Sequence, residues 1–193
     1  MTLTAMLMAG GESSRMKTDK ATLVFESEML WQRQLRLLKS LKPQEICISA
    51  RVRPAWCPVD VETILDTAPS CGPLSGLAAG LLQLRTSHLL VLAIDMPMMA
   101  PQHLSKLVGL AAAGSGIVPR KSHLYEPLCA VYPFESAIHA AKALVGSDKT
   151  ASLQSLIRDL VDIKLLRPHE LSDFEVPLYL NINTPDDWAG TRV

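Results

Sequence analysis

The sequence has no excess of charge of either sign and no long apolar run. Its 193 residues include 19 lysines and arginines and 19 aspartates and glutamates. Nucleic-acid-binding domains and proteins of anionic membrane surfaces usually carry clustered basic residues, so the balanced charge argues against both kinds of partner. No apolar run approaches the roughly 20 residues of a membrane-spanning helix, and no basic segment typical of a secretion signal precedes the first apolar residues. We therefore expect a cytoplasmic protein that binds neither nucleic acid nor a membrane.

Cysteine and histidine patterns typical of metal centres are also missing. No Cys-x-x-Cys pair occurs among the four cysteines, which are Cys47, Cys57, Cys71 and Cys129. A disulfide framework is not expected in a chain that is 48% hydrophobic, because such a chain can bury a core without cross-links. The five histidines show no ligand spacing either. We expect buried or free thiols, and at least four histidines with only packing or surface roles.

The standard phosphate-binding motifs, G-x-x-x-x-G-K-[ST] and G-x-G-x-x-G, are absent as well. In their place, the pair Gly10-Gly11 follows the short apolar run from Thr4 to Met8, and Arg15 and Lys20 come soon after. Glycines allow successive backbone N–H groups to turn towards one anion, and the two cationic side chains would add positive charge. Taken alone, a tight turn with solvated basic residues would explain this loop almost as well.

The order of apolar patterns predicts alternating strands and helices. Buried strands are predicted at residues 4–8, 45–50, 61–65, 88–94, 115–119 and 128–132, with an extended piece at 177–183. Helices are predicted at residues 29–41, 72–84, 101–113, 134–145 and 151–160, with a short one after Thr184. This order indicates one α/β domain over residues 1–193, with three layers and a mostly parallel twisted sheet. No internal repeat or linker divides it.

Two further loops end predicted strands and should meet the glycine loop at one edge of the sheet, where such folds bind ligands. In AIDMP, Asp95 closes a very apolar strand, and a carboxylate there is costly to bury without a cation. Mg²⁺ bridging substrate phosphates would suit it, and a helix cap is the alternative. In LDTAPSCGPLSG, Asp66 could accept hydrogen bonds from a base or a ribose, although a structural corner explains it equally well.

Taken together, these segments resemble a known family. MAGGESSRMKTDK is similar to the signature of the sugar-nucleotide-pyrophosphorylase-like nucleotidyltransferases, L-A-G-G-x-S-x-R-M-G-x-D-K. With DTAPSCGPLSGL, AIDMP, YEPLCAVYP and YLNINTPDD in order along the chain, the sequence resembles the molybdenum cofactor guanylyltransferases. The resemblance implies a three-layer Rossmann-like nucleotidyltransferase domain. It also implies Mg²⁺-dependent transfer of GMP from GTP to the molybdenum–molybdopterin cofactor, with release of pyrophosphate.

The resemblance also implies roles for individual residues. Nucleotide contacts would come from Met8, Ala9, Gly10, Gly11, Lys20, Arg51, Asp66 and Asp95. The catalytic groups would be Arg15 and Lys20 at the phosphates and Asp95 as the magnesium ligand. Asn181 and Asn183 match a segment that faces the pterin cofactor or supports the metal site. Transient contact with cofactor-synthesis proteins and molybdoenzymes is expected, and the evenly mixed charge favours a monomer.

Three positions depart from the family pattern. Met8 replaces the usual leucine, Lys17 replaces the glycine after Arg-Met, and Arg51 falls where an asparagine that helps to read the base is expected. Arg51 and Lys17 keep a second interpretation open, in which the protein is a cytidylyltransferase acting on molybdopterin or on a sugar or polyol phosphate. A non-catalytic nucleotide-binding domain is a third, against which the presence of both Lys20 and Asp95 argues. The missing glycine fingerprint argues against a dinucleotide-dependent oxidoreductase.

Overall fold

The structure, a computed structural model, describes residues 1–10, 19–66, 72–145 and 152–190. The strands are β1 (Leu3–Met8), β2 (Val24–Phe25), β3 (Glu28–Met29), β4 (Glu45–Ala50), β5 (Glu62–Leu65), β6 (His88–Ala93), β7 (Gly116–Lys121), β8 (Leu124–Tyr125), β9 (Cys129–Pro133) and β10 (Leu166–Glu170). The α-helices are α1 (Leu30–Ser40), α2 (Pro73–Leu82), α3 (Pro101–Leu110), α4 (Ser136–Val145), α5 (Leu153–Asp162) and α6 (Pro185–Gly190). Two 3₁₀ turns lie at Lys20–Thr22 and Val176–Tyr179.

Eight strands form one mixed sheet in the order β10-β7-β9-β6-β1-β4-β5, with β8 beside β7. β1 pairs in parallel with both β4 and β6, β4 with β5, and β7 with β10. β9 is inserted between β6 and β7 and runs antiparallel to both. The carboxyl ends of the parallel strands therefore lie along one edge, together with the start of β9.

Alternating side chains of the central strands supply two separate cores. Ala5 and Leu7 of β1 pack with apolar residues of α1 and α3 on one face of the sheet. Met6 and Met8 pack on the other face with residues of α2, α4 and α5. This separation follows from the period of two in a strand, which sends successive side chains to opposite faces. The result is the three-layer α/β arrangement with a mostly parallel sheet that the sequence predicts.

The structure differs from the sequence prediction at the end of the chain. Residues 177–183 were expected to be extended, but Val176–Tyr179 form a 3₁₀ turn, and the last strand is β10, which the prediction missed. The sequence of β10, LRPHE, is mostly polar because it forms an exposed sheet edge, where Pro168 is tolerated. Cys47, Cys57 and Cys129 are buried and free, while Cys71 lies outside the described residues. Within the described ranges, no helix is long and apolar enough to cross a membrane.

A C-terminal strap, which we define as residues 171–183, is fastened to α3 through Glu175. Its carboxylate accepts hydrogen bonds from Lys106 (2.7 Å) and His169 (3.2 Å), and from the backbone (3.0 Å) and hydroxyl (2.8 Å) of Ser172. His103 Nδ1 also lies 3.3 Å from Glu175 Oε1. Burial alone would raise the pKa of Glu175, but these hydrogen bonds outweigh it and hold that pKa well below its usual value. These contacts anchor the strap, which continues to the carboxyl edge of the sheet.

Candidate active site

A cleft opens at the carboxyl edge of the sheet, between the ends of β1, β5 and β6. It is lined by Met8, Ala9, Gly10, Asp19, Lys20, Asp66, Gly72, Pro73, Ala93, Ile94, Asp95 and Leu128. Six of these residues, Met8, Ala9, Gly10, Lys20, Asp66 and Asp95, are among those that the sequence singles out. The cleft thus joins the three loops that were expected to meet.

Lys20 and Asp95 form an ion pair in this cleft. Lys20 Nζ lies 3.3 Å from Asp95 Oδ2, and the two side chains are only 14% and 21% exposed. The same ammonium group donates a hydrogen bond to Asn183 Oδ1 at 3.0 Å. The backbone of Asp95 is also fixed, because its carbonyl oxygen accepts a hydrogen bond from the N–H of Ile182 in the strap at 2.9 Å. Groups far apart in sequence therefore converge on one cationic side chain.

Asp66 lies across the cleft and faces the glycine loop. Ser49 Oγ donates to Asp66 Oδ1 at 3.1 Å, and Asp66 Oδ2 lies 3.2 Å from the point where a Cβ on Gly10 would be. A Cβ on Gly76 would come within 2.5 Å of Ser49 Oγ, so both glycines permit close approach to this carboxylate. Burial raises the pKa of Asp66, and the hydrogen bond from Ser49 and the charge of Arg51 offset part of the rise.

The first residues of the glycine loop continue the hydrogen bonding of the sheet. Ile94 N–H donates to Met8 O at 3.0 Å, and Ala9 N–H donates to Ser49 O at 2.9 Å. The Ala9 N–H is therefore used within the sheet and is not a free donor for a ligand. Arg51 N lies 3.8 Å from the Cβ position on Gly10, so the end of β4 also borders this loop.

Not every predicted site residue is placed at the cleft. Gly11 and Arg15 lie outside the described residues, and so does Lys17. Asn183 reaches Lys20, but Asn181 is not part of the cleft lining, and its side-chain amide donates to Tyr179 O at 3.4 Å. Sequence reasoning missed Asp19 as a lining residue, although it stands next to Lys20 in the motif and its side chain caps the turn that carries Lys20.

The donors at the cleft suit a divalent cation that keeps most of its coordination for water and substrate. The part of the chain that the structure describes contains no group of three or more His, Cys, Asp or Glu side chains that could hold a metal by themselves. Asp95 offers a hard carboxylate oxygen at a half-buried position. Mg²⁺ commonly binds through one or two carboxylates together with substrate phosphates, so this donor set fits a magnesium ion that arrives with a nucleotide.

The same edge continues beyond Asp95 to the start of β9. Ala93 N–H donates to Leu128 O at 2.8 Å, so this segment lies directly beside the end of β6. Glu126 is half-buried there, and burial raises the pKa of its carboxyl group while the charge of Lys121 offsets part of the rise. The pKa of Asp66 is raised in the same direction, which leaves two desolvated carboxylates on opposite sides of Asp95.

Comparisons with known proteins identify the family. A family model described as "MobA-like NTP transferase domain" matches residues 5–163. The "Probable molybdenum cofactor guanylyltransferase" of Opitutus terrae is 32% identical over 188 residues, covering 96% of this chain and 92% of that relative.

Two solved structures share the fold at low identity. Molybdopterin-guanine dinucleotide biosynthesis protein A from Archaeoglobus fulgidus has a TM-score of 0.72 at 21% identity, covering 97% of this chain and 96% of that one. Rv0371C from Mycobacterium tuberculosis, in complex with manganese, has a TM-score of 0.69 at 14% identity, covering 99% and 98%. The chain therefore belongs to the MobA-like NTP transferase family, and it is a nucleotidyltransferase.

Proposed function

We propose that this protein transfers GMP from GTP to the molybdenum–molybdopterin cofactor, giving the guanine dinucleotide cofactor and pyrophosphate. The observation that carries the proposal is the Lys20–Asp95 pair at 3.3 Å, set in a cleft that also contains Gly10 and Asp66. For a nucleoside triphosphate, Lys20 supplies a cation, Asp95 a carboxylate that can bind the metal ion, and Gly10 a backbone position without a side chain. The choice of guanine as the base and of the molybdopterin cofactor as the acceptor rests on the names of relatives such as the Opitutus terrae protein, which is 32% identical.

In the proposed complex, the side of the cleft that contains Asp66 binds the nucleoside. The Asp66 carboxylate is an acceptor for a base N–H or a ribose hydroxyl, and Ser49 fixes its orientation. Gly10 lacks a side chain at the point that faces Asp66, so this carboxylate lies close to the backbone of the glycine loop. Arg51 adds positive charge near this carboxylate. The acceptor then enters on the other side of Asp95, near Glu126 and Asn183.

The transfer step needs positioning and charge neutralisation more than covalent help. An oxygen of the acceptor phosphate forms a bond to the α-phosphorus of GTP, the bond to the β-phosphate bridging oxygen breaks, and pyrophosphate leaves. Lys20, together with Arg15, neutralises negative charge on the triphosphate. The acceptor phosphate is already ionised near neutral pH, so no side chain is required as a general base.

Asp95 is the proposed ligand of the magnesium ion. When bound, Mg²⁺ supplies charge stabilisation at the phosphates. Lys20 Nζ lies 3.3 Å from Asp95 Oδ2, so the phosphate-binding cation and the proposed metal ligand are neighbours in the cleft.

Thermal stabilisation by nucleotides tests this proposal. GTP, CTP, ATP and UTP are each added with and without Mg²⁺, and the melting temperature is measured. A ligand at 100 times its dissociation constant adds about 2.7 kcal/mol of stability, which is easily seen. A shift with GTP that deepens with Mg²⁺ supports the guanylyl reaction, and a pterin transfer assay follows.

A preference for CTP would instead identify a cytidylyltransferase acting on molybdopterin or on a sugar or polyol phosphate. Absence of any shift would contradict nucleotide binding altogether. If the pterin reaction is found, transient docking with cofactor-synthesis proteins and molybdoenzymes becomes testable by pull-down with the loaded enzyme.

A further inference from the structure

Trp56 lies outside every motif that the sequence analysis used, yet it contacts the loop that carries Lys20. It stands in the connection between β4 and β5, where its indole stacks on Trp31 of α1. The ring centroids are 5.7 Å apart and the planes differ by 19°. Arg53 fixes the same connection by donating to Pro58 O (2.7 Å), Thr63 Oγ1 (2.9 Å) and Val61 O (3.1 Å). The position of the Trp56 indole is therefore fixed by the stack on Trp31 and by the hydrogen bonds of Arg53.

The indole N–H of Trp56 is directed at Asp19. Trp56 Nε1 donates to Asp19 Oδ2 at 2.9 Å. The other carboxylate oxygen, Oδ1, accepts the backbone N–H of Ala21 at 3.0 Å and so caps the 3₁₀ turn at Lys20–Thr22. Thr22 Oγ1 also donates to Asp19 O at 2.9 Å. Both oxygens of Asp19 are thus used, one for the turn and one for the indole.

The turn that Asp19 caps begins with Lys20. Lysine has a flexible four-carbon chain, so the position of its ammonium group depends on how firmly its backbone is held. Here the Lys20 ammonium lies within 3.3 Å of Asp95 and 3.0 Å of Asn183. A hydrogen bond to a carboxylate is stronger than one between neutral groups, and the Trp56–Asp19 contact is of this charge-assisted kind.

We propose that Trp56 is a positioning residue for Lys20, acting through Asp19. Its indole N–H fixes the Asp19 carboxylate, which holds the turn that aims the Lys20 ammonium at Asp95 and at the phosphates of the substrate. The proposal rests on the proposed function for the identity of those phosphates. A phenylalanine would fill the same stack without the N–H, so ring packing and positioning can be separated by experiment.

The first test compares Trp56→Phe with the matched control Trp31→Phe. Each variant keeps the aromatic stack and loses one indole N–H, but that of Trp31 faces Met29 Sδ at 3.3 Å and lies outside the path to Lys20. We expect Trp56→Phe to lower kcat of nucleotidyl transfer about tenfold with a similar melting temperature, because small misplacement of a reacting group is costly in rate. Trp31→Phe should retain the wild-type kcat.

A double-mutant cycle then identifies the path. If Trp56 acts through Lys20, Trp56→Phe has no further effect on kcat in a Lys20→Ala background. Equal losses in both backgrounds would show that Trp56 acts only on the structure, and would overturn the proposal. Asp19→Asn is the reciprocal variant, because an asparagine can still cap the turn while its amide group cannot accept from the indole. It should reproduce the loss seen with Trp56→Phe.

A readout without substrate separates this proposal from the proposed function. Acetylation of lysine amines by an N-hydroxysuccinimide ester is followed by peptide mass spectrometry, with the more exposed Lys106 as the internal reference. We expect the relative rate at Lys20 to rise severalfold in Trp56→Phe and to stay unchanged in Trp31→Phe. An unchanged rate in Trp56→Phe would overturn the positioning role. Failure of the wild-type protein to transfer any nucleotide would overturn the proposed function, while the labelling result would still decide the role of Trp56.

Discussion

The edge of the sheet is built differently on the two sides of Asp95. On the Asp66 side, β1, β4 and β5 are neighbouring parallel strands, and the missing side chains of Gly10 and Gly76 allow tight packing around the carboxylate. On the Glu126 side, an antiparallel strand, β9, is inserted, and the strap crosses the edge from a distant part of the chain. One side is made by local strand–loop units, and the other by contacts that only the tertiary fold brings together.

Under the proposed function, the two sides have different work. Nucleoside triphosphates are similar across many reactions, so a parallel sheet edge with a glycine loop serves as a general holder for them. The Glu126 side has no such repeated unit among the described residues, and its groups come from β9, α3 and the strap. Asp95 lies between the two sides and contacts both, through Lys20 and through Ile182.

The largest effect on turnover is expected at Asp95, which lies between the two sides. Asp95→Asn keeps the size of the side chain but removes the charge that pairs with Lys20, so turnover should fall about 100-fold or more. The fold should persist, because the backbone contact of Asp95 with Ile182 is unchanged. Initial rates and circular dichroism measure the two effects. Near-normal turnover in the folded variant would contradict the assignment of Asp95 as the metal ligand.

A methyl group at Gly76 should disturb the Asp66 side alone. Its Cβ would lie 2.5 Å from Ser49 Oγ and 3.1 Å from Asp66 Oδ1, so Gly76→Ala forces the carboxylate to move. We expect a loss of about 2–3 kcal/mol in the free energy of unfolding and weaker GTP binding. Denaturant melts and calorimetry measure these changes.

Gly109→Ala is the matched control for that variant. Apart from its own helix, no heavy atom of the described residues lies within 4 Å of the Cβ position at Gly109 in α3. Alanine there should stabilise the helix by about 0.5–1 kcal/mol without affecting GTP binding. Equal effects of the two substitutions would show that the Asp66 side is not tightly packed.

Glu175→Gln should loosen the strap and hence the Glu126 side. At pH 7 the variant should lose about 2 kcal/mol of stability, because several donors lose a half-buried charged acceptor. A carboxyl group whose folded pKa is lowered stabilises the protein above its unfolded pKa, here 4.5, and that contribution is lost as the pH falls further. The difference between wild type and variant should therefore shrink below about pH 4.5. A difference that persists in strong acid would show that packing, and not charge, holds the strap.

The smallest effects are expected from a pair of isosteric substitutions. Asp66→Asn and Glu126→Gln each remove a carboxylate whose pKa is raised by burial. A raised folded pKa means that ionisation costs stability as the pH rises through it, so both variants should gain stability relative to wild type at pH 7. That gain should shrink towards pH 3, where the wild-type carboxyl group is mostly protonated in both the folded and the unfolded state.

Only one of the pair should affect the nucleotide. Asp66→Asn is expected to weaken GTP binding about tenfold, since an ionised acceptor is lost, whereas Glu126→Gln should leave GTP affinity unchanged. Isothermal titration calorimetry at several pH values measures the GTP affinity of each variant. Equal losses of GTP affinity would remove the distinction between the two sides of Asp95.

The sequence predicts the Asp66 side well because its signals are local. The apolar run of β1 ends at glycines, and Asp66 and Asp95 each close a recognisable strand, so the parallel topology alone brings these loops together. The main strands and helices around the two cores were predicted for the same reason, since a period of two or 3.6 residues is visible in a short stretch of sequence.

The Glu126 side could not be predicted in the same way. β10 has a polar sequence because it lies at the sheet edge, and the antiparallel direction of β9 leaves no trace in its apolar pattern. The contact between Trp56 and Asp19 depends on a loop conformation that no periodicity encodes. Likewise, nothing in the spacing of His103, His169 and Glu175 indicates that they meet.

The hydrogen bond between Lys20 and Asn183 joins residues 163 positions apart in the chain. Contacts of such long separation form late in folding, because a long loop must close before any interaction compensates for its lost entropy. Synthesis proceeds from the N-terminus, so Lys20 and Asp95 leave the ribosome well before the strap does. A nascent chain can therefore form most of the sheet before Asn183 reaches the Lys20 ammonium group.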